Sequence, residues 1–253
     1  MKNKYNIAAR AALFVLGLTA AFALNTTAIA QAPPGSLWYN GDFDGRNGGA
    51  NQDGGQLGAG EYSHLYDNFN GPTSGTWTVT GLFSNNIMDA GLLGTITSAS
   101  WDIRTGVSEG NGGTDIASGT SAATVIATGR SGFNRIEYQV MVTGLSISLP
   151  TLSSGFYFLN VSPIVPAGVV GQSFVTTTSG LNAVGTPPGN DGNSWWNSNL
   201  FAVNFTSSTA IFGAGTWDVS EGVIGTVPEP ATWALLTCGV GALLIAARRR
   251  RGA

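Results

Sequence analysis

Alternation of apolar and polar residues dominates the middle of this chain. Apolar side chains occupy every second position in four segments, 76–80, 98–104, 136–142 and 201–206. A period of two places successive side chains on opposite faces of a β-strand, and the Val, Thr and aromatic residues here suit a pleated, half-buried surface. The continuous apolar run Phe156–Leu159 is typical of a central strand that is covered on both faces. These segments therefore predict strands.

Stretches rich in glycine and proline, such as 166–171 and 187–192, separate the predicted strands. No window between residues 31 and 226 carries an apolar stripe of period 3.6 over a helical length. The pattern predicts an all-β domain over 31–226, an antiparallel β-sandwich of jelly-roll-like type, with a barrel or a β-helix as alternatives. Within it, residues 31–60 are predicted to form one short leading strand and then a long glycine-rich loop.

The first 30 residues have the pattern of a secretory signal peptide. Basic residues within Met1–Arg10 precede the uncharged apolar segment Ala11–Leu24, and Ala28-Ile29-Ala30 supplies the small residues that signal peptidase recognises. An apolar segment of about 14 residues is shorter than the roughly 20 that a spanning helix needs, which favours a cleaved signal over an uncleaved anchor. We expect cleavage after Ala30 and export of the remaining chain.

The C-terminal segment 227–253 has three parts in order. They are the triplet Pro228, Glu229 and Pro230, the uncharged apolar segment 231–247, and the cluster Arg248, Arg249, Arg250 and Arg251. As a helix the apolar segment would be about 25 Å long, enough to span a thin bilayer if the arginines extend to its surface. The positive-inside rule places the arginines in the cytoplasm and the rest of the chain outside. Membrane physics alone thus predicts a transmembrane helix over 231–247 that acts as a single-span anchor.

This three-part order resembles the PEP-CTERM sorting signal of exported bacterial proteins. The resemblance is confined to the tail, residues 227–253. It implies that the chain is the substrate of an exosortase, a membrane protease-transpeptidase that processes such proteins near the triplet. It also implies a Gram-negative host that makes extracellular polysaccharide. The expected localisation is export, temporary membrane anchoring by the tail helix, and then the cell surface or the extracellular matrix.

The region between the two ends is poor in positive charge. Residues 31–230 contain no lysine, and their basic residues are Arg46, Arg104, Arg130 and Arg135, against all 14 acidic residues of the chain. Without a basic patch the domain is not expected to bind nucleic acid or anionic lipid, whereas divalent cations and neutral glycans are compatible with it. The only cysteine, Cys238, lies in the tail, so the exported domain has no disulfide or thiolate chemistry.

Three aspartates are candidate calcium ligands. Asp42 and Asp44 alternate ahead of Gly45, as oxygen ligands do in calcium loops, and Asp53 stands at the twelfth position, where an EF-hand has glutamate. Arg46 departs from that pattern. The alternative interpretation is a solvated turn in which the carboxylates cap their own backbone and bind no metal. No other cofactor is expected.

Trp195 and Trp196 are candidate glycan-binding residues. They are adjacent in a stretch rich in Asn, Gly and Ser, where one indole ring could stack on a sugar while amides bond its hydroxyls. Since neighbouring strand residues point to opposite faces, only one of the two can face the core if the segment is a strand. The alternative is that both rings serve packing.

Catalytic patterns are weak in this sequence. His64 is the only histidine, and neither a second nitrogen or thiol ligand for zinc nor a Gly-x-Ser-x-Gly elbow accompanies it. A glycosidase needs only two carboxylates, but the candidate acids are scattered over Asp102, Glu109, Asp115, Glu137 and Asp218. We therefore expect a non-enzymatic structural or adhesive protein of the envelope or matrix. The alternatives are a glycan- or calcium-binding adhesion module and a polysaccharide hydrolase.

Overall fold

The computed structural model describes residues 32–55 and 58–227, and in this part the all-β prediction is confirmed. The predicted signal peptide, the triplet Pro228–Pro230, the apolar segment 231–247 and the arginine cluster lie outside the described residues. Within 32–55 and 58–227, no helix has the length and apolarity needed to cross a membrane.

The described chain forms strands joined mainly by turns. They are β1 Ser36–Tyr39, β2 Phe43–Ala50, β3 Gln52–Gly54, β4 Tyr62–Phe69, β5 Thr76–Met88, β6 Ser98–Thr105, β7 Thr114–Gly132, β8 Arg135–Pro150, β9 Tyr157–Val165, β10 Ser173–Thr178, β11 Trp195–Ser198, β12 Val203–Ser207, β13 Asp218–Val219 and β14 Glu221–Thr226. Two short helical pieces accompany them, a 3₁₀ turn at Ala90–Leu92 and helix α1 at Ser208–Phe212. The Ser207 hydroxyl caps α1 by accepting a bond from the Ala210 amide at 3.3 Å.

All the strands belong to one sheet that has two parts. One part contains β1, β14, β5 and β8, with β10 paired to β5 and with β2 and β13 paired to β10, and the other contains β6, β9, β3, β4, β11 and β12. The strand β7, 19 residues long, joins them: residues 114–122 pair with β6 and residues 123–132 pair with β8. The sheet is mixed rather than purely antiparallel, because β3 pairs parallel with β9.

The apolar core lies between these two parts. Leu82, Val140 and Val142 from β5 and β8 belong to the same buried cluster as Ile103 and Leu159 from β6 and β9. Val140 and Val142 lie on alternate positions of β8, and Trp101 and Ile103 lie on alternate positions of β6, so the period of two in these segments directs their apolar side chains into the shared interior. The run at 156–159 begins β9, which pairs with β6 on one side and with β3 and β4 on the other, as a central strand does.

A layer of buried amides also crosses the interior. The carboxamide of Asn51 donates to the Val161 carbonyl at 2.8 Å and to Asn86 Oδ1 at 3.2 Å. Its own oxygen accepts from Asn160 Nδ2 at 3.1 Å and from Ser162 Oγ at 2.5 Å. All four side chains are fully buried. The Asn, Ser and Thr of this sequence therefore bond one another inside the protein as well as facing solvent.

The prediction of a long loop after the first strand was wrong for residues 43–54. This segment forms β2 and β3, because β2 pairs with β10 and β3 pairs with both β4 and β9. Glycines have no side chain to pack, which hid the strand in the sequence, but they allow close approach here. A Cβ at Gly49 would lie 2.7 Å from Leu65 Cδ2.

Candidate functional site

A cleft opens on the face of the sheet formed by β4, β6, β7, β9 and β11. It encloses about 350 Å³, within the usual range of small-molecule sites. Its lining consists of Tyr62, His64, Tyr66, Ser100, Trp101, Asp102, Arg104, Asp115, Ser118, Gly119, Asn160 and Asn197. Strand periodicity positions the first three, since Tyr62, His64 and Tyr66 occupy alternate positions of β4. On β11, Asn197 lies directly opposite His64.

A second depression continues the cleft. It encloses about 420 Å³ and is lined by Asp53, Gly54, Gly60, Glu61, Tyr62, His64 and Ile164. Tyr62 and His64 line both depressions. Because the two depressions share these residues, we treat them as one candidate site and call it the β4 groove.

His64 is fixed at the centre of the β4 groove. Its Nε2 lies 2.6 Å from Asp53 Oδ1 on β3, and its ring packs against that of Tyr62 with centroids 4.9 Å apart. A carboxylate on one ring nitrogen orients the imidazole and leaves the other nitrogen to a ligand. Tyr62 and His64 therefore form a preorganised aromatic platform beside polar groups.

A hydrogen-bonded cluster adjoins this platform. Arg104 Nε donates to Asp102 Oδ2 at 2.5 Å, Arg104 Nη1 donates to the Gly112 carbonyl at 3.0 Å, and the Tyr66 hydroxyl donates to Asp102 Oδ2 at 3.2 Å. Burial raises the pKa of Asp102 above its ordinary value, although the bond from Arg104 acts in the opposite direction. Burial likewise raises the pKa of Tyr66 far above 10. These hydrogen bonds hold the side chains of the cluster in place. The cluster therefore presents donors and acceptors in fixed positions, and not a carboxylic acid that is free to move.

Carboxylates outnumber basic groups in the lining of the β4 groove. Its lining among the described residues includes the carboxylates of Asp53, Glu61, Asp102 and Asp115, while Arg104 is the arginine among them. An excess of carboxylates repels acidic polymers such as uronic acid chains. Aromatic rings beside carboxylates and amides favour neutral or amino sugars, whose apolar ring faces stack on them and whose hydroxyls are bonded by the polar groups.

The structure does not bring the three predicted calcium ligands together. Asp42 is buried, accepts from the Tyr39 hydroxyl at 2.7 Å and lies 2.9 Å from Arg130 Nη1. Asp44 accepts from Arg46 Nε at 2.6 Å. Asp53 bonds His64 in the β4 groove. The calcium assignment to Asp42, Asp44 and Asp53 is therefore corrected: each carboxylate already has a separate partner, so they do not form one shared site.

The two tryptophans take different positions. Trp196 is buried, with the rings of Phe201 and Phe212 packed against it at centroid distances of 5.2 and 5.6 Å. The prediction that Trp196 could stack on a sugar is wrong, because neighbouring aromatic rings already pack on it. Trp195 is partly exposed and lies opposite Tyr66 across the β4–β11 ladder. It therefore flanks the β4 groove without lining its main cleft.

The acids considered for hydrolysis do not converge on one place. Asp102 and Asp115 line the cleft. Glu109 accepts from the Ser207 amide at 3.1 Å. Glu137 is buried on β8 and bonds Arg130 and Thr128.

Asp218 belongs to a second group of acids, with Asp67 and Asp191. Oxygens of these three carboxylates lie within 4.8 Å of one another, and in the described part of the chain this is the group that could hold a metal ion. Burial raises the pKa of Asp67 well above its ordinary value, with the nearby charge of Asp218 adding to the effect. Burial raises the pKa of Asp218 to about 6. We call this group the Asp67 cluster.

Sequence reasoning missed both the β4 groove and the Asp67 cluster. Tyr62, His64 and Tyr66 alternate, and that signal was present in the sequence. Asp67, Asp191 and Asp218 are far apart in the chain and meet only through strand pairing and a loop, so no local spacing could identify them. Comparisons of this chain with family models, with curated proteins and with solved structures return no match.

Proposed function

We propose that this chain is an exported, non-enzymatic adhesion protein of the cell surface or extracellular matrix that binds neutral or amino-sugar polysaccharide. The observation that carries the proposal is the β4 groove, which combines an aromatic platform, fixed polar groups and an excess of carboxylates. The Asp102 carboxylate is bonded by Arg104 and Tyr66, which favours ligand binding over proton transfer. We also propose that the all-β domain is a jelly-roll-like sandwich, since apolar residues of both sheet parts pack in one core.

The delivery of the domain rests on the two ends of the chain. The predicted signal peptide 1–30 supports export, and the PEP-CTERM-like tail supports handling by an exosortase, with the predicted helix 231–247 as a temporary anchor. Pro228, Glu229, Pro230 and the arginines Arg248–Arg251 are the proposed sorting residues. In a host with this machinery, Glu229→Ala should leave the protein in the membrane fraction. Normal release of that variant would contradict recognition of the triplet.

The binding proposal is tested with the full-length protein on an array of neutral, amino-sugar and acidic polysaccharides. We expect binding to members of the first two classes and none to the acidic class. Tyr62→Ala removes half of the aromatic platform and should weaken binding about tenfold or more. Phe133→Ala is the matched control, because Phe133 is an exposed aromatic residue outside the β4 groove. An array without hits, or equal effects of the two variants, would refute the proposal.

A polysaccharide hydrolase is the second candidate function. The specific observation in its favour is that Asp102, whose pKa is raised by burial, and Asp115 line the same cleft. Incubation of the purified protein with each bound oligosaccharide and measurement of new reducing ends separates the two functions. Turnover that Asp115→Asn abolishes without loss of binding would establish the hydrolase and overturn the non-enzymatic proposal.

A further inference from the structure

Asp102 keeps one free carboxylate oxygen in the β4 groove. The residue is only 8% exposed, yet it lines the main cleft. Its Oδ2 accepts both the bond from Arg104 Nε at 2.5 Å and the bond from the Tyr66 hydroxyl at 3.2 Å. Its Oδ1 accepts no hydrogen bond among the described residues. A largely buried carboxylate oxygen without a donor is costly, so this atom favours a ligand that brings a donor to it.

Two further carboxylates of the β4 groove have no partner in the described part of the chain. Asp115 lies opposite Arg104 on the β6–β7 ladder and lines the main cleft. Glu61 directly precedes Tyr62 and lines the second depression. Neither carboxylate accepts a hydrogen bond or forms an ion pair with a described residue. Each depression therefore contains one acid whose charge is available to a ligand.

The basic groups of the β4 groove already have carboxylate partners. Arg104 Nε lies 2.5 Å from Asp102 Oδ2, and His64 Nε2 lies 2.6 Å from Asp53 Oδ1. Partial burial acts to lower the pKa of Arg104, but the bond to Asp102 and the nearby negative charges, that of Asp115 among them, raise it. The field of Asp115 thus reaches the cleft, and a ligand there meets an excess of negative charge.

An ammonium group complements these features of the lining. It carries three N–H donors, no acceptor and a positive charge. Its hydrogen bonds to carboxylates are roughly twice as strong as bonds between neutral groups. It is also attracted to the face of a tyrosine ring, and Tyr62 lines both depressions. Acetylation of an amine removes the charge and leaves one N–H donor, so the β4 groove favours the free amine over its acetylated form.

The aromatic platform favours a sugar as the carrier of this ammonium group. Tyr62 and His64 pack with ring centroids 4.9 Å apart. A hexosamine holds its amino group on a rigid ring with an apolar face that can stack on such a platform. A lysine side chain carries the same charge on a flexible stem, which loses rotamer freedom when it is bound. The platform therefore distinguishes an amino sugar from a basic peptide.

We propose that the β4 groove recognises hexosamine units with a free amino group through the carboxylates of Asp102, Asp115 and Glu61. This inference rests on the proposed glycan-binding function and narrows its ligand to de-N-acetylated amino sugars. Asp102 Oδ1 is the acceptor assigned to the ammonium group in the main cleft. Asp115 and Glu61 supply the surrounding negative charge.

The test is calorimetric titration of the purified full-length protein with oligomers of glucosamine, N-acetylglucosamine and glucose that share one length and linkage. At about pH 6, where an amine carries its proton, the glucosamine oligomer should bind about tenfold or more tightly than the N-acetylated one. NaCl at about 0.5 M should reduce this preference, because salt screens the charges. Equal affinities for these two oligomers would overturn the inference and leave the glycan-binding function standing. No binding of any oligomer would overturn both.

A lysine oligomer with the same number of positive charges separates sugar recognition from attraction by charge alone. We expect it to bind about tenfold or more weakly than the glucosamine oligomer, because it has no ring to stack on the platform. Equal affinities for the lysine and glucosamine oligomers would overturn the assignment to a sugar.

Variants locate the recognition of the amine. Asp115→Asn and Glu61→Gln each remove one charge at nearly constant size, and each should lower the ratio of the two affinities, glucosamine over N-acetylglucosamine, about threefold or more. Asp102 is left unchanged, because Arg104 and Tyr66 both bond to it.

Glu109→Gln is the matched control for the loss of one negative charge. Glu109 is exposed and accepts a bond from the Ser207 amide outside the β4 groove, which a glutamine oxygen can also accept. This variant should keep the affinity ratio of the parent protein. The parental ratio in both groove variants, or an equal decrease in Glu109→Gln, would refute the proposed role of these carboxylates.

Discussion

The buried amide of Asn51 provides a sharp test of how the interior is held together. Asn51→Ala removes four hydrogen bonds, two donated and two accepted by the carboxamide. A typical buried bond contributes a net of about 0.5–1.5 kcal/mol, so full loss would cost about 2–6 kcal/mol. The final cost depends on which partners keep another bond.

Three of the four partners do keep one. The Val161 carbonyl still accepts from Ser84 Oγ at 2.7 Å, Asn160 Nδ2 still reaches the Leu65 carbonyl at 2.9 Å, and the Ser162 hydroxyl still reaches Asn160. Only the oxygen of Asn86 loses its donor. We therefore expect Asn51→Ala to lower the free energy of unfolding by about 3 kcal/mol, in the lower half of that range.

Urea unfolding followed by tryptophan fluorescence measures this cost. A loss of about 3 kcal/mol should shift the midpoint by about 1–2 M. Asn204→Ala is the matched control, because Asn204 is exposed and donates one bond, to the Gly110 carbonyl at 3.0 Å. It should cost less than about 0.5 kcal/mol. If the two variants are equally stable, the amide layer does not stabilise the fold and the reasoning fails.

Three further changes test other parts of the structure. Burial raises the pKa of Glu221 well above 4.5, so the stability this group contributes is complete below pH 4.5 and is lost as the pH rises through the folded pKa. Glu221→Gln should therefore exceed the parent in unfolding free energy near pH 8, with no gain near pH 4, in urea titrations at both pH values. Trp196→Ala should cost about 3–5 kcal/mol in the same assay and the partly exposed Trp195→Ala clearly less, and the reverse order would contradict the packing. Gly41→Ala should cost at least about 1 kcal/mol, because Gly41 has φ +123° and its Cβ would lie 2.7 Å from Thr178 Oγ1.

The strands that could be predicted from the sequence are those with one face in the apolar core between the two parts of the sheet. The alternation around Val140 and around Trp101 identified β8 and β6, since a buried face imposes a period of two. The same rule failed at Glu137, which faces inward and bonds Thr128, Thr176 and Arg130. Its neighbour Ile136 is half exposed. A buried ion pair reverses the local pattern, and only the tertiary structure reveals the partner.

Functional residues were harder to predict because their chemistry is assembled from distant segments. Asp53 was proposed as a calcium ligand from its spacing to Asp42, yet it pairs with His64 through the β3–β4 ladder. Spacing along a loop predicts a ligand set only when the segment stays a loop, and here residues 43–54 are strands. The adjacent tryptophans were correctly expected to point to opposite faces, because β11 is a strand.

The pairing of every arginine in the described domain has a consequence for its resistance to proteolysis. Trypsin-like proteases cut after lysine or arginine, and residues 31–230 contain no lysine. The four arginines lie in β2, β6, β7 and β8, each with its guanidinium bonded to a carboxylate. A protease needs several residues of extended chain free of other contacts, and each of the four arginines lies within a strand that pairs with a neighbouring strand. We therefore expect cleavage at these sites to require local or global opening of the strands, so the lifetime of the domain among proteases of this specificity is governed by that opening equilibrium.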